Sequence, residues 1–229
     1  MLWPPRNKRS RPQQGQDVIA QQIGQRHAAE EEQSAMRSLR EDRVDLAIAG
    51  LRRSVTFDPA RLSALHYLGV LLVDVGELGE AATMLRSALD LAPDNLELHH
   101  ILGGVLTSLH RLEAAEAVYV AATALDSQHA PSLAALGAVL VRRGHLHKAE
   151  TYLLQALQID PTAAAPLISL AEMNYGRGTL RSAVEILSKA IERLKAAHAR
   201  GDSEPDGVSL SECEEKLRLW QVEAQGKSR

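Results

Sequence analysis

The chain has 229 residues, 45% of them hydrophobic, so it can bury a substantial core. Aromatic residues make up only 3%, and the apolar residues are rich in leucine and alanine, which are strong helix formers. The formal net charge of -3 gives no overall attraction to nucleic acid or to an anionic membrane. A single cysteine, Cys213, excludes an internal disulfide and a thiolate metal cluster, which agrees with a reducing compartment.

The first sixteen residues contain three prolines and four basic residues without any apolar period. We therefore expect a disordered basic tail over residues 1–16 and a helix from about Asp17. The tail lacks the apolar stretch of a secretory signal, and no apolar run elsewhere reaches the ~20 residues that span a bilayer. We expect a cytoplasmic protein without a transmembrane segment.

The basic residues of the tail could contact an anionic surface, but they have no aromatic neighbours. Four such charges give only weak, salt-sensitive binding, so solvated flexibility is favoured over nucleic-acid recognition. These residues are Arg6, Lys8, Arg9 and Arg11.

The chain repeats with a period of 34 residues, which is clearest in the step from Pro59 to Pro93, Ser127 and Pro161. Two series of alanines, one series of small residues and one of large apolar residues follow the same period. The series are Ala47, Ala81, Ala115, Ala149 and Ala183; Ser54, Ala88, Ala122, Ala156 and Ala190; Ala35, Gly69, Gly103, Gly137 and Ala171; and Leu51, Leu85, Tyr119, Leu153 and Leu187. Small residues recurring in register with large ones indicate pairs of closely packed helices.

Each period reads as helix, turn, helix, turn. Gly76, Gly144 and Gly178 stand where the first helix should end, because glycine adopts the left-handed conformation easily; His110 replaces glycine in the remaining unit. The prolines follow the second helix and stop it. We expect the leucine before each first-helix glycine, such as Leu68, to pack against the alanine series.

Segments 62–95 and 130–163 resemble tetratricopeptide repeats, because each matches eight signature positions of that family. The matching residues are Leu65, Leu68, Gly69, Leu72, Ala81, Leu85, Ala88 and Pro93, then Leu133, Leu136, Gly137, Leu140, Ala149, Leu153, Ala156 and Pro161. Units 96–129 and 164–197 match nearly as well, and unit 28–61 matches in its second half. The resemblance implies an all-α fold, a right-handed α-α superhelix (solenoid) of about five helix-turn-helix repeats over residues 17–197.

A loop is predicted over residues 198–208, which are rich in Gly, Asp, Ser and Pro, followed by a C-terminal capping helix over 209–225 and a tail over 226–229. The helix should cover the fifth unit with an apolar stripe formed by Leu210, Cys213, Leu217 and Trp220. Its polar back should face outward, with Glu214, Glu215, Lys216 and Arg218.

In this family the first helix of every unit lines the concave side, where partners usually bind. The resemblance therefore implies a partner-binding groove. Its candidate residues are His66, Val70, Val73, Glu97, His100, Thr107, Ala134, Ala138, Val141, Arg142, Ile168, Glu172 and Tyr175.

The middle of this lining is small and apolar, so we expect it to take up an apolar helix or extended segment of a protein partner. Family members that clamp a terminal carboxylate use Lys, Asn and Arg at groove positions, where this chain has Val70, Gly104, Ala134 and Ala138. The alternative is that these side chains merely pack against neighbouring units or a returning terminal segment.

No catalytic or nucleotide-binding motif is found, so we expect neither an enzyme nor a cofactor. Several histidines cluster in the middle units, but neighbouring side chains on a helix point in different directions, so we expect no metal site. They are His99, His100, His110, His145 and His147. The predicted role is a scaffold or adaptor; a chaperone for an apolar secretion substrate and a self-assembling homo-oligomer remain open as alternatives.

Overall fold

The computed structural model describes residues 11–201 and 208–226, with side chains from residue 18 onward. Within these ranges the chain forms eleven α-helices and no strands. It divides after Pro93 into two compact units, which we call the N-terminal and C-terminal units. No helix in the described ranges is both long and apolar enough to cross a bilayer.

The N-terminal unit holds four helices, each packed against the next along the chain. They are α1 (Arg11–Arg40), α2 (Val44–Phe57), α3 (Leu62–Asp74) and α4 (Leu78–Leu91). The C-terminal unit begins with α5 (Leu96–Ser108), α6 (Leu112–Leu125), α7 (Ala130–Arg142) and α8 (Leu146–Ile159), and ends with α9 (Ala165–Gly176), α10 (Leu180–Arg200) and α11 (Leu210–Gly226). In the C-terminal unit α7 packs against α5, α6, α8 and α9, and α11 packs against α10.

The two alanine series are fully buried, as the close approach of paired helices requires. The gap beside each first-helix glycine is filled by the large residue that follows 16 positions later, a contact that the sequence analysis did not specify. A Cβ atom added at Gly69 would lie 2.7 Å from Cδ2 of Leu85, and one added at Gly137 would lie 2.6 Å from Cδ2 of Leu153. Each glycine therefore receives the side chain of its own second helix.

The predicted left-handed turns are present. Gly76, Gly144 and Gly178 have φ angles of 80°, 78° and 78°, and His110 has a φ of 57° in the same place. The residue after each such position donates its N–H back into the helix, as Glu77 does to the Leu72 carbonyl at 2.8 Å. The turn geometry thus repeats even where glycine is absent.

Helix α1 begins at Arg11, six residues before the predicted start. Pro12 falls in the first turn, where its missing N–H costs no helical hydrogen bond, and the glutamines that follow are good helix formers. The helix therefore overlaps residues 11–16 of the predicted tail. Residues 1–10 of the predicted tail lie outside the described ranges.

Helix α10 also continues beyond its predicted end, to Arg200, because Ala196, Ala197 and Ala199 favour helix across the predicted boundary. Gly201, with a φ of 81°, ends it. The capping helix is displaced by one residue from the prediction. Residues 202–207 and 227–229 lie outside the described ranges.

Candidate partner-binding surfaces

The groove candidates of the N-terminal unit lie on α3, and all three are half-buried: His66, Val70 and Val73. The ring of His66 stacks on that of Tyr67, with centroids 5.8 Å apart and an interplanar angle of 12°. Tyr67 itself is 44% exposed. This face of α3 therefore offers an aromatic pair beside two small apolar side chains.

The candidates on α5 differ in how much they offer to a partner. Glu97 is exposed, and His100 is half-buried with its ring edge-on to Tyr119 at 6.1 Å. The Thr107 hydroxyl donates to the Gly103 carbonyl at 2.7 Å, so it already serves its own helix. Of these residues, Glu97 is the most accessible.

On α7, Ala138 and Val141 are half-buried, while Arg142 in the last turn is exposed. Ala134 is only 8% exposed and packs with Leu133 and Ala156, unlike the open groove position that we expected. Ala134 lies one repeat after His100, another predicted groove residue, but its short methyl group is covered by its neighbours.

On α9, Ile168 is also only 8% exposed and belongs to the core of the C-terminal unit. Glu172 and Tyr175 both contact α11. Lys216 Nζ lies 2.5 Å from Glu172 Oε1, and the Tyr175 ring stacks on Trp220 with centroids 4.5 Å apart. The three predicted residues of α9 are thus engaged within the chain.

Sequence reasoning missed this use of α11. Lys216 was expected to face outward but reaches Glu172, and Glu223 accepts a hydrogen bond of 3.0 Å from the Tyr175 hydroxyl. The apolar stripe of α11 correctly indicated Trp220 as a packing residue, since it is only 7% exposed. Nothing in the sequence pattern indicated that Lys216 and Glu223, which flank this stripe, would contact residues of α9.

Ion pairs between successive repeats recur with the 34-residue period. Arg143, at the end of α7, pairs with Glu116 of α6, and Arg177, at the end of α9, pairs with Glu150 of α8 at 3.1 Å. Both members of the second pair lie 34 residues beyond those of the first. The 34-residue spacing of these arginines and glutamates is present in the sequence, but the sequence analysis compared only apolar and small residues between repeats.

A further ion pair links α2 to α4 in the N-terminal unit. Arg52 contacts Glu77 and Glu80, each at 2.7 Å. The hydrogen bond from Arg52 holds the pKa of Glu80 below its ordinary value. Across the described residues no group of three histidine, cysteine, aspartate or glutamate side chains is placed to hold a metal ion.

Comparison with known proteins identifies the repeats directly. Two family models of the tetratricopeptide repeat match the chain, one over residues 72–140 and the other over residues 130–162. No curated protein matches this sequence. Repeats of this family are, in general, protein-interaction scaffolds.

Solved structures share the fold at low sequence identity. MamA from Desulfovibrio magneticus RS-1 is 22% identical with a TM-score of 0.65, and the match covers 74% of this chain and 96% of that one. YrrB, described as a TPR protein with an unusual peptide-binding site, is 22% identical with a TM-score of 0.61, covering 75% and 90%.

A tetratricopeptide repeat protein from Parabacteroides merdae is 18% identical with a TM-score of 0.68, covering 86% of this chain and 74% of that one. At these identities the likeness shows the fold alone, an all-α helical-repeat solenoid. The two family models, which together match residues 72–162, place these helix-turn-helix units in the tetratricopeptide repeat family.

Proposed function

We propose that this chain is a scaffold or adaptor that binds a partner polypeptide along the first helices of its C-terminal unit. The observation that carries the proposal is the surface left by α5 and α7. These two helices pack against each other and carry four small or apolar residues that are each half-buried, and therefore partly open to a partner. The residues are Gly104, Ala135, Ala138 and Val141.

Small side chains suit this role because they let the backbone of a partner approach closely. A Cβ atom added at Gly104 would meet no atom nearer than the Tyr119 hydroxyl, 3.9 Å away. Covering such a surface with apolar groups removes it from water, at roughly 25 cal/mol per Å² buried. Recognition would rest on shape and apolar contact more than on charge.

The same arrangement limits the extent of the surface. Because Glu172 and Tyr175 contact α11, the proposed site is centred on α5 and α7. Glu97 in the first turn of α5 and Arg142 in the last turn of α7 are exposed charges that can orient a bound segment. The fold shared with YrrB, a protein described as having a peptide-binding site, supports a peptide as ligand.

The test is affinity capture from native extract with the full chain and two variants. Ala138→Arg places a long charged side chain on the proposed surface, and Ala121→Arg makes the same change at an exposed position of α6. We expect a defined set of proteins to be captured by the wild type and by Ala121→Arg and to be lost with Ala138→Arg. Far-UV circular dichroism should show equal helicity in all three.

Capture of the same proteins by Ala138→Arg would move the binding surface away from α5 and α7. Identification of the captured proteins also separates the alternatives. One or two defined partners indicate an adaptor, a set of unfolded apolar clients indicates a chaperone, and the chain itself indicates self-assembly.

A further inference from the structure

The first helix of the N-terminal unit borders a cavity of about 390 Å³ that no sequence prediction indicated. It lies at the C-terminal half of α1 and extends to the residue before α3. The lining residues are Ala29, Glu32, Gln33, Met36, Arg37, Arg40 and Arg61. Three arginines and one glutamate make this lining basic.

One of the arginines already holds a carboxylate. The Arg61 Nε group donates to a carboxylate oxygen of Glu32, and both side chains are largely covered, at 29% and 12% exposed. Arg37 and Arg40 are exposed, and within the described ranges neither forms an ion pair with a carboxylate. The Arg61–Glu32 pair therefore shows how a carboxylate is bound in this cavity. Arg37 and Arg40 are two further cationic groups that could bind additional carboxylates.

The repeat register relates this cavity to the groove positions. Glu32 and Met36 lie 34 residues before His66 and Val70, so they occupy on α1 the positions that these groove candidates occupy on α3. Met36 and Ala29 add apolar surface, and the Gln33 amide adds a donor. Charged and apolar groups are thus combined on the side of the repeat where partners are expected.

We propose that this cavity binds the side-chain carboxylates of an acidic peptide segment. Guanidinium groups match carboxylates in a planar, two-point geometry, and residues three apart on a helix, such as Arg37 and Arg40, share a face. Two neighbouring acidic side chains of one segment can therefore be held together. The inference adds a partner chemistry to the proposed function, yet it rests on contacts of the N-terminal unit alone.

The test is the fluorescence anisotropy of labelled hexaglutamate with an amidated C-terminus, titrated with the full chain at about 100 mM salt, where the screening length is about 10 Å. Arg37→Glu combined with Arg40→Glu should weaken binding about tenfold or more, and the two glutamine substitutions should weaken it less. The matched control is Arg26→Glu with Arg86→Glu, which changes the net charge equally at two exposed positions outside the cavity. It should change the affinity less than about twofold.

An equal loss in both charge-reversed proteins would overturn the proposal, since it would show that only net charge matters. Failure of the wild type to bind hexaglutamate, or a requirement for a free terminal carboxylate, would also overturn it. Ala138→Arg should bind hexaglutamate as the wild type does, because Ala138 lies outside the cavity. A failure of this site and a failure of the α5–α7 surface are therefore distinguishable.

Discussion

Two adjacent glycines in α5 have opposite environments. Gly103 faces the ring of Tyr119, so that an added Cβ would lie 2.6 Å from its Cε1 atom, whereas the space beside Gly104 is open to 3.9 Å. The ring is a rigid neighbour, and the Tyr119 hydroxyl also donates to the His100 carbonyl at 3.4 Å. Gly103 is therefore required by packing, while Gly104 is not.

We expect Gly103→Ala to lower the free energy of unfolding by about 1–3 kcal/mol, because the methyl group overpacks the contact with Tyr119. Gly104→Ala should raise it by roughly 0.5–1 kcal/mol, since alanine has the higher helix propensity and meets no obstacle. Urea unfolding followed by circular dichroism measures both. Equal effects of the two substitutions would contradict the contact seen at Gly103.

The 34-residue period correctly predicted that position 103 must be small, but it did not identify Tyr119 as the side chain that fills the gap. A period fixes which positions are equivalent and leaves open how far each side chain extends. The same limit explains Ala134 and Ile168, which were predicted to line the groove and are nevertheless buried. Their exposure depends on the size of neighbours in adjacent helices, which the repeat pattern does not specify.

Helix α11 packs on the core of the C-terminal unit through Trp220, Cys213 and smaller apolar contacts, with a few polar contacts beside them. Trp220 is 7% exposed and lies nearly parallel to the Tyr175 ring, at an interplanar angle of 7°. Leu219, next to it in sequence, is 64% exposed. The packing of α11 on the last repeat should therefore depend on Trp220 and not on Leu219.

Trp220→Ala should cost about 3 kcal/mol of stability in the C-terminal unit, because it removes a buried aromatic side chain and leaves a cavity. Leu219→Ala, which also shortens an apolar residue of α11, should change stability by less than about 0.5 kcal/mol. Amide hydrogen exchange resolved along the chain would locate the effect. Equal protection of α11 in the two variants would show that the stacking does not hold the helix.

At the level of elements, helix pairing was predictable and some helix ends were not. The turns at Gly76, Gly144 and Gly178 were found because a left-handed residue leaves a mark in the sequence. The start of α1 leaves no such mark, because glutamine extends a helix without an apolar period. At the end of α10 the mark is Gly201, which the prediction placed inside the loop. Ranges defined by hydrophobic pattern were therefore too short at both places.

The stability of the whole molecule should fall on acidification. A hydrogen bond from Arg52 lowers the pKa of Glu80 from its ordinary 4.5, and hydrogen bonds from Thr162 lower that of Asp160 from 3.8. A carboxyl group whose pKa is lower in the folded than in the unfolded chain stabilises the fold above its unfolded pKa. That stabilisation is lost as the pH falls through the folded pKa.

We therefore expect the thermal unfolding midpoint to decrease as the pH is lowered below about 4.5, where the unfolded carboxyl groups begin to take up protons first. Melting curves recorded by circular dichroism across this range measure the effect. In the double variant Glu80→Gln and Asp160→Asn the acid-induced decrease should be smaller. An identical pH profile would mean that other carboxyl groups control acid unfolding.

The ion pairs of Arg143 with Glu116 and of Arg177 with Glu150 repeat with the chain's own period, and this has a consequence for how such an array can change its length. If residues 130–163 were deleted in one genetic event, Arg177 would take the position of Arg143 and could form the ion pair with Glu116. A tandem duplication of the same segment would likewise create a new pair without any adjusting mutation. The number of repeats can therefore change while these junctions between successive repeats keep their ion pairs.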